Sequence, residues 1–142
     1  MRKLIGSIIA SAAVSLIACT QKMDAAKVPA PVKESFSRQF PGVVPKWEKE
    51  DGKYEAGFKQ DGHEMSSLFE ANGTITESEM EITVAELPAM VREYIKTHYN
   101  NTAIKEAAKI TSVSGTMEYE AAIKGKDIIF DSNGNFIKEI VN

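Results

Sequence analysis

The chain has 142 residues, 43% hydrophobic and 26% charged, with 9 Gly and 5 Pro. That balance belongs to one soluble globular domain and excludes a disordered tail, a collagen or a multi-span membrane protein. A single cysteine excludes an internal disulfide framework and a Cys-rich zinc site, and a net charge of −3 argues against a nucleic-acid partner.

The first element is an address. Arg2 and Lys3 precede an apolar run from Leu4 to Ala18, broken only by Gly6, Ser7, Ser11 and Ser15. As a helix this run would reach roughly 22 Å, short of a hydrocarbon core of about 30 Å, so it reads as the core of a secretory signal and not as a membrane span. It ends in Leu16-Ile17-Ala18-Cys19, which resembles the lipobox of bacterial lipoproteins. The resemblance implies cleavage before Cys19 and a diacylglyceryl group on its thiol. Residues 1–18 are then a lipoprotein signal peptide, and 19–27 the lipidated Cys and a short tether. The membrane is met through the lipid anchor only. Loss of Arg2 and Lys3 leaves a more acidic mature chain, which should not lie flat on anionic headgroups.

A helix follows. Val32, Phe36 and Phe40 fall four apart on one stripe, and Pro41-Gly42 ends it. Four strands are predicted next, over Val43–Glu50, Lys53–Gln60, His63–Glu70 and Thr74–Ile82. Asp51-Gly52, Asp61-Gly62 and Asn72-Gly73 separate them, dipeptides suited to tight hairpins in which both central residues take positive φ.

The same grammar then recurs. Val28-Pro29-Ala30-Pro31-Val32-Lys33-Glu34 is echoed by Leu87-Pro88-Ala89-Met90-Val91-Arg92-Glu93. Leu87, Val91, Ile95 and Tyr99 form the second helical stripe, which we start near Leu87 and end at Asn100-Asn101. Thr83-Val84-Ala85-Glu86 has the pattern of a capping box, but that register would sink Pro88 too deep in the helix. Strands are predicted over Ala103–Val113, Met117–Lys124, Asp127–Asp131 and Asn135–Val141, with turns at Ser114-Gly115, Gly125-Lys126 and Asn133-Gly134. Tyr54-Glu55-Ala56 recurs as Tyr119-Glu120-Ala121, and Phe69-Glu70-Ala71-Asn72-Gly73 as Phe130-Asp131-Ser132-Asn133-Gly134.

The expected fold class is therefore α+β: two tandem helix-plus-four-strand antiparallel units, 28–82 and 83–142, forming one domain over 28–142. They merge into one roughly eight-stranded sheet with both helices on one face. Tyr54, Ala56 and Phe58 alternate toward that face, as do Tyr119, Ala121 and Ile123.

The lipobox, the tandem units, Trp47 in the first strand, Tyr-Glu-Ala in the second and Phe-x-x-Asn-Gly at the third hairpin together resemble the PepSY-like family named for its likeness to β-lactamase inhibitor proteins. The resemblance implies a small exported protein of Bacteroidetes-type bacteria. In the inhibitor that gives the family its name, the open sheet face grips a β-lactamase, which implies protein binding here.

Chemistry is sparse. His63 and His98 lack partners at metal-ligand or catalytic spacing, and no nucleophile-elbow, His-Glu-x-x-His or phosphate-loop motif occurs. No enzyme activity, cofactor or metal is expected. Asp131-Ser132-Asn133-Gly134-Asn135 reads as a hairpin turn and not a calcium loop. Glu77, Glu79 and Glu81 alternate, which puts three carboxylates on one face; a solvated, charge-guarded sheet edge explains them, and a small-ligand or divalent-ion site is the alternative. If Tyr54 and Tyr119 face the helices, then Glu55 and Glu120 point outward with Lys59, Glu118 and Lys124. These five are the candidate partner-binding residues on an acidic-leaning open face. Trp47 suits either face. The expected protein is non-catalytic, exported and held in the cell envelope (periplasm or outer membrane). It binds an unknown protein or peptide there, with hydrolase inhibition one version of that role.

Overall fold

The computed structural model describes residues 21–142; the signal segment, Cys19 and Thr20 lie outside them. Two helices, α1 (Ala30–Gln39) and α2 (Ala89–His98), accompany nine strands. The strands are β1 (Gln21–Met23), β2 (Lys46–Glu50), β3 (Lys53–Gln60), β4 (His63–Phe69), β5 (Ile75–Ile82), β6 (Glu106–Ser112), β7 (Met117–Ile123), β8 (Lys126–Asp131) and β9 (Phe136–Val141). They form a single antiparallel meander in sequence order, β1 to β9.

The ninth strand is β1, drawn from residues read in the sequence as tether. Gln21, Lys22 and Met23 pair with Lys49, Glu48 and Trp47, and Met23 packs against the core around α1. Three residues with one apolar side chain carry no periodic signal, so only the free edge of β2 makes them a strand. The first predicted strand starts later than expected, at Lys46 instead of Val43, because Pro45 has no N–H to give a ladder.

The capping-box pattern at Thr83 is real but serves another element. Glu86 Oε2 accepts from the Thr83 amide and hydroxyl, each at 2.7 Å, and closes a separate 3-10 turn over Val84–Glu86. The helix then starts at Ala89, two residues later than expected, with Pro88 as its N-cap. Asn100 and Asn101, both at positive φ, end it.

Two hydrophobic clusters fill the molecule. Val32 and Phe36 of α1 join Phe40, Trp47, Ala56, Phe58 and Phe69; Tyr54 packs at the margin. Phe36 is the hub, with ring centroids at 5.1 Å from Phe40, 5.6 Å from Trp47 and 5.1 Å from Phe58. Trp47 is thus a core residue. Val91 and Ile95 of α2 join Leu87, Ile82, Ala107, Ala121, Ile123, Ile128 and Phe130, with Tyr119 at the margin. The units are stitched by β5 and β6, paired from Glu77↔Ser112 to Ile82↔Ala107.

The third hairpin of each unit docks on its own helix. Asn72-Gly73 does not take the paired positive-φ form found at Asp51-Gly52 and Asp61-Gly62; only Gly73 is left-handed. The Asn72 side chain instead accepts from the Thr74 amide at 2.9 Å. A Cβ on Gly73 would lie 2.5 Å from the Pro31 carbonyl oxygen, at the start of α1. Gly134 sits equivalently, 3.2 Å from the Met90 Cβ at the start of α2.

Two stability predictions follow from this packing. Gly73→Ala, which combines left-handed strain with a backbone clash, loses at least about 2 kcal/mol in urea unfolding, while Gly52→Ala, with open space around it, loses only roughly 1 kcal/mol. Phe36→Ala, which empties the aromatic hub, loses about 3–5 kcal/mol.

Candidate functional site

Alternation and register bring the acidic residues of five strands to one side of the sheet. Glu48, Glu55, Leu68, Glu77 and Ser112 are successive cross-strand partners. Ser66, Glu79, Ile110, Glu118 and Asp131 form the adjacent row, and Glu81, Ala108, Glu120, Ile129 and Lys138 a third. Glu50, two residues along from Glu48, and Asp127, two residues before Ile129, share that side.

The carboxylates stand on an apolar floor. Ala108, Ile110 and Ile129 are 5%, 2% and 0% exposed, yet they belong to neither helix-packed cluster. Their ladder neighbours are mainly glutamates and Lys138, whose aliphatic stems can cover apolar surface while the heads reach water.

Two nearby cations pair with acids other than those of the three rows, while Lys53 and Lys138 still act on Glu77 at longer range. Lys53 pairs with Glu70 at 3.3 Å and Lys59 with Glu64 at 3.1 Å. Among the described residues, none of the ion pairs includes Glu48, Glu50, Glu55, Glu77, Glu79 or Glu118.

Burial and mutual repulsion push these acids upward. Glu50 is 2% exposed, and its Oε1 has no hydrogen-bond partner among the described residues. Its pKa rises from 4.5 to about 7, through desolvation first and then the charges of Glu55, Asp51, Glu48 and Glu77. Glu79 is driven well above the usual carboxylate range by desolvation, with Glu120, Glu77, Glu55 and Asp127 adding to it. Glu77 rises through desolvation and Glu118, opposed by Lys53 and Lys138. Glu55 rises through desolvation, opposed by a hydrogen bond from the Ser66 hydroxyl. Asp127 also rises by desolvation, held back by the Asn142 amide donating to it at 2.9 Å.

The five candidate residues are not equivalent. Glu55 and Glu118 are partly buried on the acidic side. Glu120 is on that side too but is 3% exposed, where an outward, accessible carboxylate was expected. Its position in the row, between Ala108 and Ile129 in the middle of the sheet, explains the burial. Lys59 is exposed and tied to Glu64, and Lys124 is exposed just beyond the end of β7. The edge-guard reading of Glu77, Glu79 and Glu81 fails, because β5 is an interior strand between β4 and β6. Glu50 was missed altogether, since beside Asp51-Gly52 it reads as a solvated turn flank.

The histidines have structural surroundings. His63 Nδ1 lies 3.1 Å from the Glu81 carbonyl, and His98 stacks on Tyr94 at 3.9 Å between centroids. Asp131 closes its hairpin by accepting from the Asn133 and Asn135 amides, each at 2.9 Å. Among the described residues, no group of three or more His, Cys, Asp or Glu is arranged to hold a metal ion.

The family model described as "Putative beta-lactamase-inhibitor-like, PepSY-like" matches residues 16–77 and 53–138. No curated protein matches the chain. Among solved structures, a "putative periplasmic" protein from Bacteroides eggerthii aligns with a TM-score of 0.73 at 14% identity, over 80% of this chain and 88% of that one. A DUF2874 family protein from Bacteroides uniformis aligns with a TM-score of 0.70 at 16% identity, and a BLIP-like protein from Bacteroides fragilis with 0.66 at 22%. Both cover 80% of this chain and 88% of their own. At these identities the likeness is one of fold.

The raised acids set a pH dependence. A carboxyl whose folded pKa lies above its unfolded one binds its proton more tightly in the native state, so stability falls as pH rises from the unfolded value through the folded one. For Glu50 that window runs from 4.5 to about 7. Glu50→Gln should be more stable than the parent above pH 7, by on the order of 3 kcal/mol at about 1.4 kcal/mol per pKa unit, and indistinguishable from it near pH 4. Urea titrations at pH 4, 6 and 8 check this.

Proposed function

The chain belongs to the PepSY-like, beta-lactamase-inhibitor-like family, and from that premise we propose that it is a non-catalytic, lipid-anchored protein of the cell envelope that receives a protein or peptide on the acidic side of its sheet. The observation that carries this reading is the unequal treatment of the two sides. Ala56, Ser67, Ser78, Thr111 and Met117 are successive cross-strand partners and so share a side. Ala56 belongs to the α1 cluster, and Ala121, an even number of residues from Met117 on β7, belongs to the α2 cluster. This supports both helices covering one side, with the acidic side left to solvent or a partner.

Further support comes from composition and kinship. Among the described residues, His63 meets the Glu81 carbonyl and His98 stacks on Tyr94, both structural contacts. One structural neighbour is described as BLIP-like, which favours protein binding, with inhibition of a hydrolase as one form. Another, from Bacteroides eggerthii, is described as "putative periplasmic", in keeping with a signal peptide over 1–18 and export. Cys19 is then the acylated residue, and the two units, 28–82 and 83–142, form the binding body.

The test uses the full chain expressed in a bacterial host. Labelled palmitate is incorporated by the parent and lost in Cys19→Ala, which also leaves the membrane fraction. A photo-crosslinking residue at Ser66 or Ser112 captures a partner from the envelope, whereas one at Glu34 of α1 does not. Capture that is equal at Glu34, or absent from both sheet positions, rejects the docking side.

A further inference from the structure

We infer that the partner presents a lysine- and arginine-bearing segment that lies across β2 to β7, with its cations among Glu48, Glu50, Glu55, Glu77, Glu79 and Glu118. This rests on the docking reading above and adds the chemistry of the occupant.

Three observations lead to it. The six glutamates stand together without an ion pair among the described residues: Lys53 and Lys59, beside them, pair with Glu70 and Glu64, and Lys53 and Lys138 reach Glu77 only at longer range. Glu50 is almost wholly buried on this side of the sheet, within range of the charges of Glu55, Glu48 and Glu77, and its Oε1 accepts no hydrogen bond among the described residues. A buried carboxylate oxygen in that condition is costly, and a charged N–H donor relieves it more fully than a neutral one. The floor of Ile110 and Ile129 lowers the local dielectric under the carboxylates, so a cation laid over them gains more than it would on an ordinary wet surface.

The extent of the strip selects the class of cation. Strands spaced about 4.8 Å apart put β7 roughly 24 Å from β2, far beyond the reach of one metal ion. An extended segment covers the same distance with about seven residues at roughly 3.3 Å each. Ser66, Leu68, Ala108 and Ile110 line the low ground between the acidic strands, where aliphatic stems can lie while their heads meet carboxylates. Arginine suits such sites best, because its planar fork satisfies two acceptors at once.

The experiment titrates the full chain in nonionic detergent with a seven-residue Gly-Ser peptide carrying arginine at every third position. Parallel titrations use the same peptide with citrulline in place of arginine, and calcium chloride. The arginine peptide is expected to bind, to weaken at least ten-fold against Glu55→Gln/Glu79→Gln/Glu118→Gln, and to lose affinity as salt rises. The citrulline peptide is expected to be silent. Thermal melts verify that the triple variant is folded, and Glu79→Gln alone, expected to weaken binding about three-fold, serves as the milder variant. Undiminished binding to these variants, equal binding of the citrulline peptide, or calcium bound more tightly than the peptide overturns the inference. A peptide-display selection separates it from the reading beneath it. Winners without Lys or Arg that still shift the Ile110 and Ser112 amide resonances overturn the basic segment and leave the docking side standing. Winners that never shift those resonances remove both.

Discussion

The acidic side of the sheet exists because β5 pairs with β6 in one particular register. Six consecutive partners, from Glu77↔Ser112 to Ile82↔Ala107, join two units that would otherwise be separate helix-capped meanders. Side chains alternate with period two, so a slip of one residue would turn Glu77, Glu79 and Glu81 toward the α2 core and expose Met80 and Ile82. That slip is heavily penalised, because Ile82 is part of the second core cluster and Met80 packs against it. The hydrophobic effect on one side thereby fixes the placement of charge on the other.

This coupling explains how a small domain tolerates so many unfavourable carboxylates. The two cores supply the stability. Phe36, Phe69, Phe130, Ile95 and Ile128 are all but inaccessible to solvent. Against that background, a partly protonated Glu50 and a strongly raised Glu79 are a modest cost. Residues that weaken a fold while facing one side in concert are the usual mark of a surface shaped by recognition, since a sheet selected for stability alone would replace them.

Much of this was legible in the sequence, and the reasons are local. Val32, Phe36 and Phe40 define a helix by spacing alone, and Tyr54, Ala56 and Phe58 define a strand face by alternation. The Asp-Gly pairs fix two hairpins because few other dipeptides tolerate positive φ at both positions. What escaped depends on contacts between elements. β1 is a strand only because β2 offers it an edge. The side on which Glu55 and Glu120 sit follows from alternation, but the burial of Glu120 follows from its neighbours across the ladder, Ala108 and Ile129. Glu79 was mistaken for edge protection because the number of strands on either side of β5 is a property of the assembled sheet.

The strand β1 has a structural consequence. Gln21, Lys22 and Met23 occupy the edge that β2 would otherwise leave bare, and Met23 ties that edge to the α1 cluster. The nine strands extend from it over about 38 Å at the usual spacing. The rows of carboxylates begin with Glu48 and Glu50 one strand in, so β1 stands as a rim between them and that end of the sheet.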